Sequence, residues 1–285
     1  MLFIPNYAGA LCSNTPSWGT ARPSSTMGTS VTPGTGGYGS YAAVGSALTS
    51  AAYGVRVMVH SNYTNSTIRE ALLNIGYDPA GGTSYSILIP DLQCGCAGNP
   101  TGGGAAGPIE YVFPLYIPSG ATLAAAAYSN VANAFYVGVQ VFQSPISPES
   151  IKCGTFVQAI GTSGRGGAAV TPGTASEGAW TSIGTTTAPM WYWQVGWGGK
   201  DPGTALLANG VAIDVAVGDG ANYNVIIQEN YRQVDTTERV SMMGSQCLQG
   251  HYHPVPSGAT LYARAQISGG SADADGNTVI VYGVG

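Results

Sequence analysis

Between recurrent Gly and Pro punctuation, apolar and polar side chains alternate with a period of two. That spacing turns one face of a pleated strand toward a core and the other away from it. Such segments run over residues 54–60, 72–77, 85–89, 111–117, 122–128 and 135–142, and again over 191–197, 212–217, 223–228, 250–255, 260–267 and 278–282. Their length is that of strands. Pro118-Ser119-Gly120-Ala121, between two of them, reads as a tight turn in which proline presets φ and glycine accepts a positive φ. The one stretch with a helical look, Ser66 to Ala71 with Ser66 or Thr67 as cap, is too short to hold a helix by itself. The pattern predicts an all-β chain.

The strand pattern occurs twice. Val31-Thr32-Pro33-Gly34-Thr35 returns as Val170-Thr171-Pro172-Gly173-Thr174, and Pro118-Ser119-Gly120-Ala121-Thr122-Leu123 returns as Pro256-Ser257-Gly258-Ala259-Thr260-Leu261. The offsets are 139 and 138 residues, and Ser84 to Ile89 faces Asn222 to Ile227 at 138 again. Three matches in order at one spacing mark a duplication. The same register sets Trp18 opposite Phe156 and Cys12 near Cys153, which predicts an N-terminal arm over 1–11, copy one over 12–145 and copy two over 146–285. Solenoid repeats run about 20–50 residues, so this period means duplicated domains, each able to enclose its own core. Six or more short strands per copy predict two tandem homologous β-sandwiches of jelly-roll type.

Composition narrows the setting. Charged residues make up 8% of the chain, against about 25% in an average soluble protein. Glycine contributes 43 positions, so the surface is neutral and polar. Lys152 and Lys200 are the only lysines and the net charge is −5, which leaves no basic field for a nucleic-acid backbone. The start, Met1 to Asn6, has neither a basic segment nor an apolar run suited to a signal peptide or membrane span, so neither secretion nor a membrane is expected. Cys12, Cys94, Cys96, Cys153 and Cys247 are odd in number in a chain too large to need staples. Free thiols made in a reducing cytoplasm are expected.

Motifs with chemical content are few. Gly34-Thr35-Gly36-Gly37-Tyr38-Gly39 fits a dinucleotide fingerprint but lacks the preceding strand and following helix, so it reads as a glycine loop. Cys247, His251 and His253 lie at even spacings that would share one face of a strand and could converge on zinc, without an evident fourth ligand. Their counterparts to His251 and His253 in copy one are Phe113 and Leu115, which points instead to a modified core or a subunit boundary. Trp191, Trp193 and Trp197 alternate along one strand, as a sandwich core, a subunit interface or a sugar-stacking platform would require. Cys94-Gly95-Cys96 is too tight for a zinc knuckle and leaves a loop thiol or a cross-link to another chain. Asp273 and Asp275 precede Gly276 in a turn with too few oxygens for calcium. The sequons at Asn62 and Asn65 carry little weight without a secretion signal. No cofactor and no catalytic residues are expected.

Three segments in order, Ala71-Leu72-Leu73-Asn74-Ile75-Gly76-Tyr77-Asp78, then Ser86-Ile87-Leu88-Ile89-Pro90-Asp91-Leu92, then Val112-Phe113-Pro114-Leu115-Tyr116-Ile117-Pro118-Ser119-Gly120, resemble a module of uncharacterised virion structural proteins of tailed bacteriophages. The resemblance covers about the central two thirds of copy one and departs at Tyr77-Asp78, where the module has a second turn glycine. It implies a β-sandwich and a virion setting, as head decoration, head fibre or tail component, with other virion proteins and further copies of itself as partners. It carries no catalytic residues. A host-surface adhesin binding glycans at a fibre tip is the alternative.

Overall fold

The computed structural model describes residues 28–61, 71–94, 109–129, 132, 134–142, 153–198, 210–234, 241–242, 251–268 and 277–285. The N-terminal arm, Cys12, Trp18, residues 66–70, Cys96, Cys247, Asp273 and Asp275 lie outside the described residues.

Copy one contains β1 (Thr29–Val31), β2 (Ala42–Ala43), β3 (Gly54–Ser61), β4 (Ala71–Asp78), β5 (Ser86–Gln93), β6 (Ile109–Phe113), β7 (Thr122–Ser129) and β8 (Phe135–Phe142). Copy two contains β9 (Val157–Ile160), β10 (Ala168–Ala169), β11 (Thr181–Thr185), β12 (Met190–Gly198), β13 (Gly210–Gly218), β14 (Tyr223–Val234), β15 (Ser241–Met242), β16 (His251–Val255), β17 (Thr260–Ile267) and β18 (Thr278–Val284). The sheets run β1-β8-β3-β6 and β2-β7-β4-β5 in the first copy, and β10-β18-β12-β16 (with β9 also on β18) and β11-β17-β13-β14-β15 in the second. The fold is all-β, two tandem β-sandwiches of open sheets. Each alternating segment of the sequence overlaps a strand; β1, β2, β9, β10 and β15 are too short to display a period, and β11, with five residues, is not among the expected strands. Ala71, assigned to the helical stretch, opens β4.

Inward residues of facing sheets interdigitate as sandwich packing requires. In copy one Val55, Val57, Val59, Val137 and Val139 meet Leu73, Ile75, Leu123 and Ala125 in one buried cluster. In copy two Trp193, Val195, Trp197, Val279 and Val281 meet Ile213, Val215, Leu261 and Ala263.

The copies share irregularities as well as strands. The β4/β5 ladder shifts register between Leu73 and Ile75, and the β13/β14 ladder between Ile213 and Val215. On the partner strand, Asp91 and Glu229 take φ of +51° and +49°. A non-glycine residue there costs about 1–3 kcal/mol unless its surroundings hold it. They do: Asn74 Oδ1 accepts from the Asp91 N–H at 2.8 Å, and Asp214 Oδ1 from the Glu229 N–H at 2.7 Å. The glycine loop behaves alike in both copies. Gly34 and Gly39 N–H converge on the Ala127 carbonyl, as Gly173 and Gly178 N–H converge on that of Ala265. A Cβ on Gly34 or Gly173 would meet a backbone oxygen at 2.3 or 1.9 Å, so this clasp needs glycine and has no helix to hold a phosphate.

The two cores are not separate. The outer face of the β12/β18 sheet carries Tyr192, Ile280, Tyr282 and Val284, which join copy one's core cluster. They cover β5 and β6, the edge strands whose unpaired backbone groups would otherwise be open to other chains. Side chains complete those edges. Tyr111 OH donates to the Gln93 carbonyl at 2.6 Å, Gln93 N–H donates to Tyr282 OH at 2.7 Å, and Tyr282 OH donates to the Asp91 carbonyl at 2.9 Å. Gln194 pairs with Val112 as a strand would, its Nε2 donating to the Val112 carbonyl at 2.6 Å and its Oε1 accepting from the Val112 N–H at 3.2 Å. Tyr282→Phe strands two buried backbone groups and is expected to cost about 1–3 kcal/mol. Urea unfolding of the variant reads this directly, and an unchanged midpoint would show that the junction contributes nothing to stability. No helix among the described residues is long and apolar enough to cross a membrane.

Candidate functional site

The tryptophan row splits. In register, Trp193 and Trp197 take the places of Val55 and Val59, facing inward with 0% and 2% of their surface exposed. Their indole N–H groups are engaged internally, Trp193 with the His253 carbonyl at 2.7 Å and Trp197 with Asn277 Oδ1. A bulge between Met190 and Tyr192 takes Trp191 out of the alternation. Trp191 is half-buried and stacks on Tyr252, 5.9 Å between ring centroids, with Tyr252 39% exposed. The three indoles do not form one platform.

His251 pairs across the strands with Trp193, as Phe113 pairs with Val55. Opposite it, Asn230 stands where copy one has the core residue Leu92, and Asn230 Nδ2 lies 3.5 Å from His251 Nε2. A polar pair has replaced an apolar one, each member partnering the other. Cys247 lies outside the described residues, and among those described no group of three His, Cys, Asp or Glu is placed to hold a metal.

Cys94 directly follows β5 as a free thiol, buried, with its Sγ 3.6 Å from the Ala71 carbonyl. Cys153 is free and half-buried, donating to the Tyr53 carbonyl at 3.1 Å, and burial pushes its thiol up to about 11. Only the thiolate alkylates. At pH 8, Cys153 should therefore react with iodoacetamide at least about tenfold more slowly in the native protein than after unfolding. Mass spectrometry of its peptide reads this; equal native and unfolded rates would contradict it.

The arrangement that sequence inspection missed lies on the outer faces of the β4/β7 and β13/β17 sheets, at the shared bulge. In copy two Arg264 donates from Nε and Nη2 to Asp214 Oδ2 at 3.0 and 2.8 Å, and reaches Glu177 Oε2 at 2.5 Å. Its guanidinium sits 4.4 Å from the Trp180 ring centroid. Trp180 stacks on Tyr223 at 5.0 Å, and Tyr223 meets Tyr262 edge-on at 5.1 Å. Asp214, Glu177, Arg264, Glu229 and Gln266 line a small polar recess, with Glu177 and Glu229 exposed. Desolvation and then the hydrogen bond with Asp214 raise the Glu177 carboxyl, against the pull of Arg264.

The homologous recess in copy one has Tyr38, Tyr41, Asn74, Tyr85, Asp91, Ala126 and Tyr128 at the corresponding places, and it is filled. Tyr38 OH donates to Asp91 Oδ1, while Thr162, from the β9–β10 turn of copy two, donates to Asp91 Oδ2 at 3.1 Å. Arg165 of the same turn lies 5.9 Å from the Tyr128 ring centroid. Burial, then the bond to Asp91, raises the Tyr38 phenol above its ordinary value. Thus one recess receives a hairpin, and among the described residues its twin receives none.

No protein-family model matches the chain, and no curated protein matches it. Among solved structures, PNGF-II aligns over 96% of this chain and 64% of its own at 10% identity, with a TM-score of 0.34. The chain thus spans less than two thirds of PNGF-II. The CBM22-1-CBM22-2 tandem domain of Paenibacillus barcinonensis Xyn10C aligns over 83% of this chain and 78% of its own at 8% identity and a TM-score of 0.21. The infectious bursal disease virus Gx strain structure aligns over 90% and 69% at 10% identity and a TM-score of 0.20. These are weak likenesses, to a virus structure and to a tandem domain alike, and they single out neither a tailed-phage virion nor a ligand.

Proposed function

We propose that the chain is a non-enzymatic building block of a virion that acts through contacts with other virion proteins and with further copies of itself. One observation supports the reading: the same surface recess occurs twice, occupied in copy one by the turn from copy two and, among the described residues, without such an occupant in copy two. The Gly-rich, lysine-poor composition and the virion-type segments of copy one support the setting. Purified protein should associate with itself as concentration rises, and with particles lacking it. A chain that remains monomeric at high concentration and does not bind such particles would sink the reading.

The adhesin alternative moves from the buried indoles to the surface. Trp180, Tyr223 and Tyr262 lie beside Arg264, Glu177 and Glu229, combining aromatic faces with hydrogen-bonding groups as a glycan site requires. Calorimetric titration with a panel of oligosaccharides tests it. Saturable heat that Tyr223→Ala abolishes would favour it, and an absence of heat across the panel would remove it.

A further inference from the structure

The hairpin that fills copy one's recess has a counterpart in the repeat. Gly161-Thr162-Ser163-Gly164-Arg165-Gly166 closes on itself, Ser163 N–H donating to the Gly166 carbonyl at 2.9 Å and Gly166 N–H to the Ser163 carbonyl at 3.1 Å. It leads into β10, which pairs with β18 as β1 pairs with β8. Gly167 and Gly28 are equivalent, since a Cβ on either would strike the backbone of Val279 or Val137. Counting back from Gly28, the counterpart of residues 161–166 is Arg22-Pro23-Ser24-Ser25-Thr26-Met27. It too combines one arginine with hydroxyl side chains.

We propose that chains join head to tail, with residues 22–27 of one chain entering the open copy-two recess of a second chain, as residues 161–166 enter the copy-one recess within a chain. The inference rests on the reading of the protein as an assembly subunit and specifies the contact. Charge fits the occupant. Where copy one offers Asp91 beside a tyrosine, copy two offers Glu229 beside Glu177 and Asp214 against the single cation Arg264, a net negative recess for Arg22. In the same count Ser24 stands opposite Ser163 and Thr26 opposite Arg165, while Pro23 takes the place of Thr162, so the arginine and the hydroxyls recur at shifted positions. Because the two surfaces differ, the contact is heterologous, so repeating it makes a ring or a fibre instead of a closed dimer.

The test uses full-length chains in sedimentation velocity over a concentration series at low and moderate salt. Wild type should form a ladder of oligomers that weakens with salt. Glu229→Arg and Arg22→Glu should each weaken self-association by about tenfold or more, while thermal melting shows both folded. Mixed together, the two variants should associate again, because the Glu229→Arg chain keeps its arginine arm, the Arg22→Glu chain keeps its acidic recess, and the two reversed charges also attract each other. Wild-type association that neither variant alters, or a mixture that stays monomeric, overturns the head-to-tail contact and leaves the assembly reading standing. A wild type that never associates and does not bind particles overturns both.

Discussion

Trp193→Ala should lower the stability of the chain by about 3–5 kcal/mol, the loss expected when a buried aromatic is truncated and the surroundings collapse only in part. Trp193 is among the largest fully buried side chains, central to copy two's core, and its N–H satisfies the His253 carbonyl on β16. The neighbouring backbone is shaped to it. A Cβ on Gly283 would come within 2.7 Å of the indole, so the ring lies flat on a strand that has no side chain there. Trp193→Phe keeps much of the volume and loses the hydrogen bond, and should cost less, about 1–2 kcal/mol. Urea titrations with unchanged slope would report both values. A loss below about 1 kcal/mol for the alanine variant would show that the indole is not a core residue in solution.

Much of this architecture is legible in the residues and some is not, for identifiable reasons. Alternation locates the long strands because each buries one face; strands of two or three residues such as β2 and β10 cannot show a period. Even spacing puts Trp191, Trp193 and Trp197 on one face, and this holds for the last two. The bulge after Met190 displaces the first, and nothing in Met-Trp-Tyr-Trp announces a bulge. The recess was invisible for a different cause: Glu177, Asp214, Glu229 and Arg264 come from separate strands and loops, and Glu229 takes a left-handed backbone without being glycine. A signal did exist. Strand register aligns Asn74 with Asp214 and Ala126 with Arg264, and Asn74/Ala126 and Asp214/Arg264 are each directly opposite on their sheets, so an ion pair in copy two stands where copy one has a neutral pair, a compensated difference. The docking of the β9–β10 turn on copy one has no sequence sign, because Thr162 and Asp91, which bond to each other, stand 71 residues apart.

That compensation makes copy one a built-in control for the second large effect. Asp214 is 4% exposed and supports three bonds, two from Arg264 and one from the strained Glu229 backbone. Asp214→Ala removes the acceptor for both and should cost about 3 kcal/mol, since it uncaps the bulge and leaves Arg264 with Glu177 alone. Arg264→Ala should cost about 2–4 kcal/mol for the opposite reason, a buried carboxylate without its cation. Asp214→Asn combined with Arg264→Ala recreates the Asn74/Ala126 pair, in which the amide oxygen still caps the bulge and no charge is buried. The double variant should therefore be more stable than Arg264→Ala, with a coupling of about 1–3 kcal/mol in the cycle built from Asp214→Asn and Arg264→Ala. Urea unfolding of the four proteins at pH 7 supplies the cycle. Additive costs would mean that the Asp214 carboxylate and the Arg264 guanidinium contribute independently, and that the ion pair is not what separates copy two from copy one in stability.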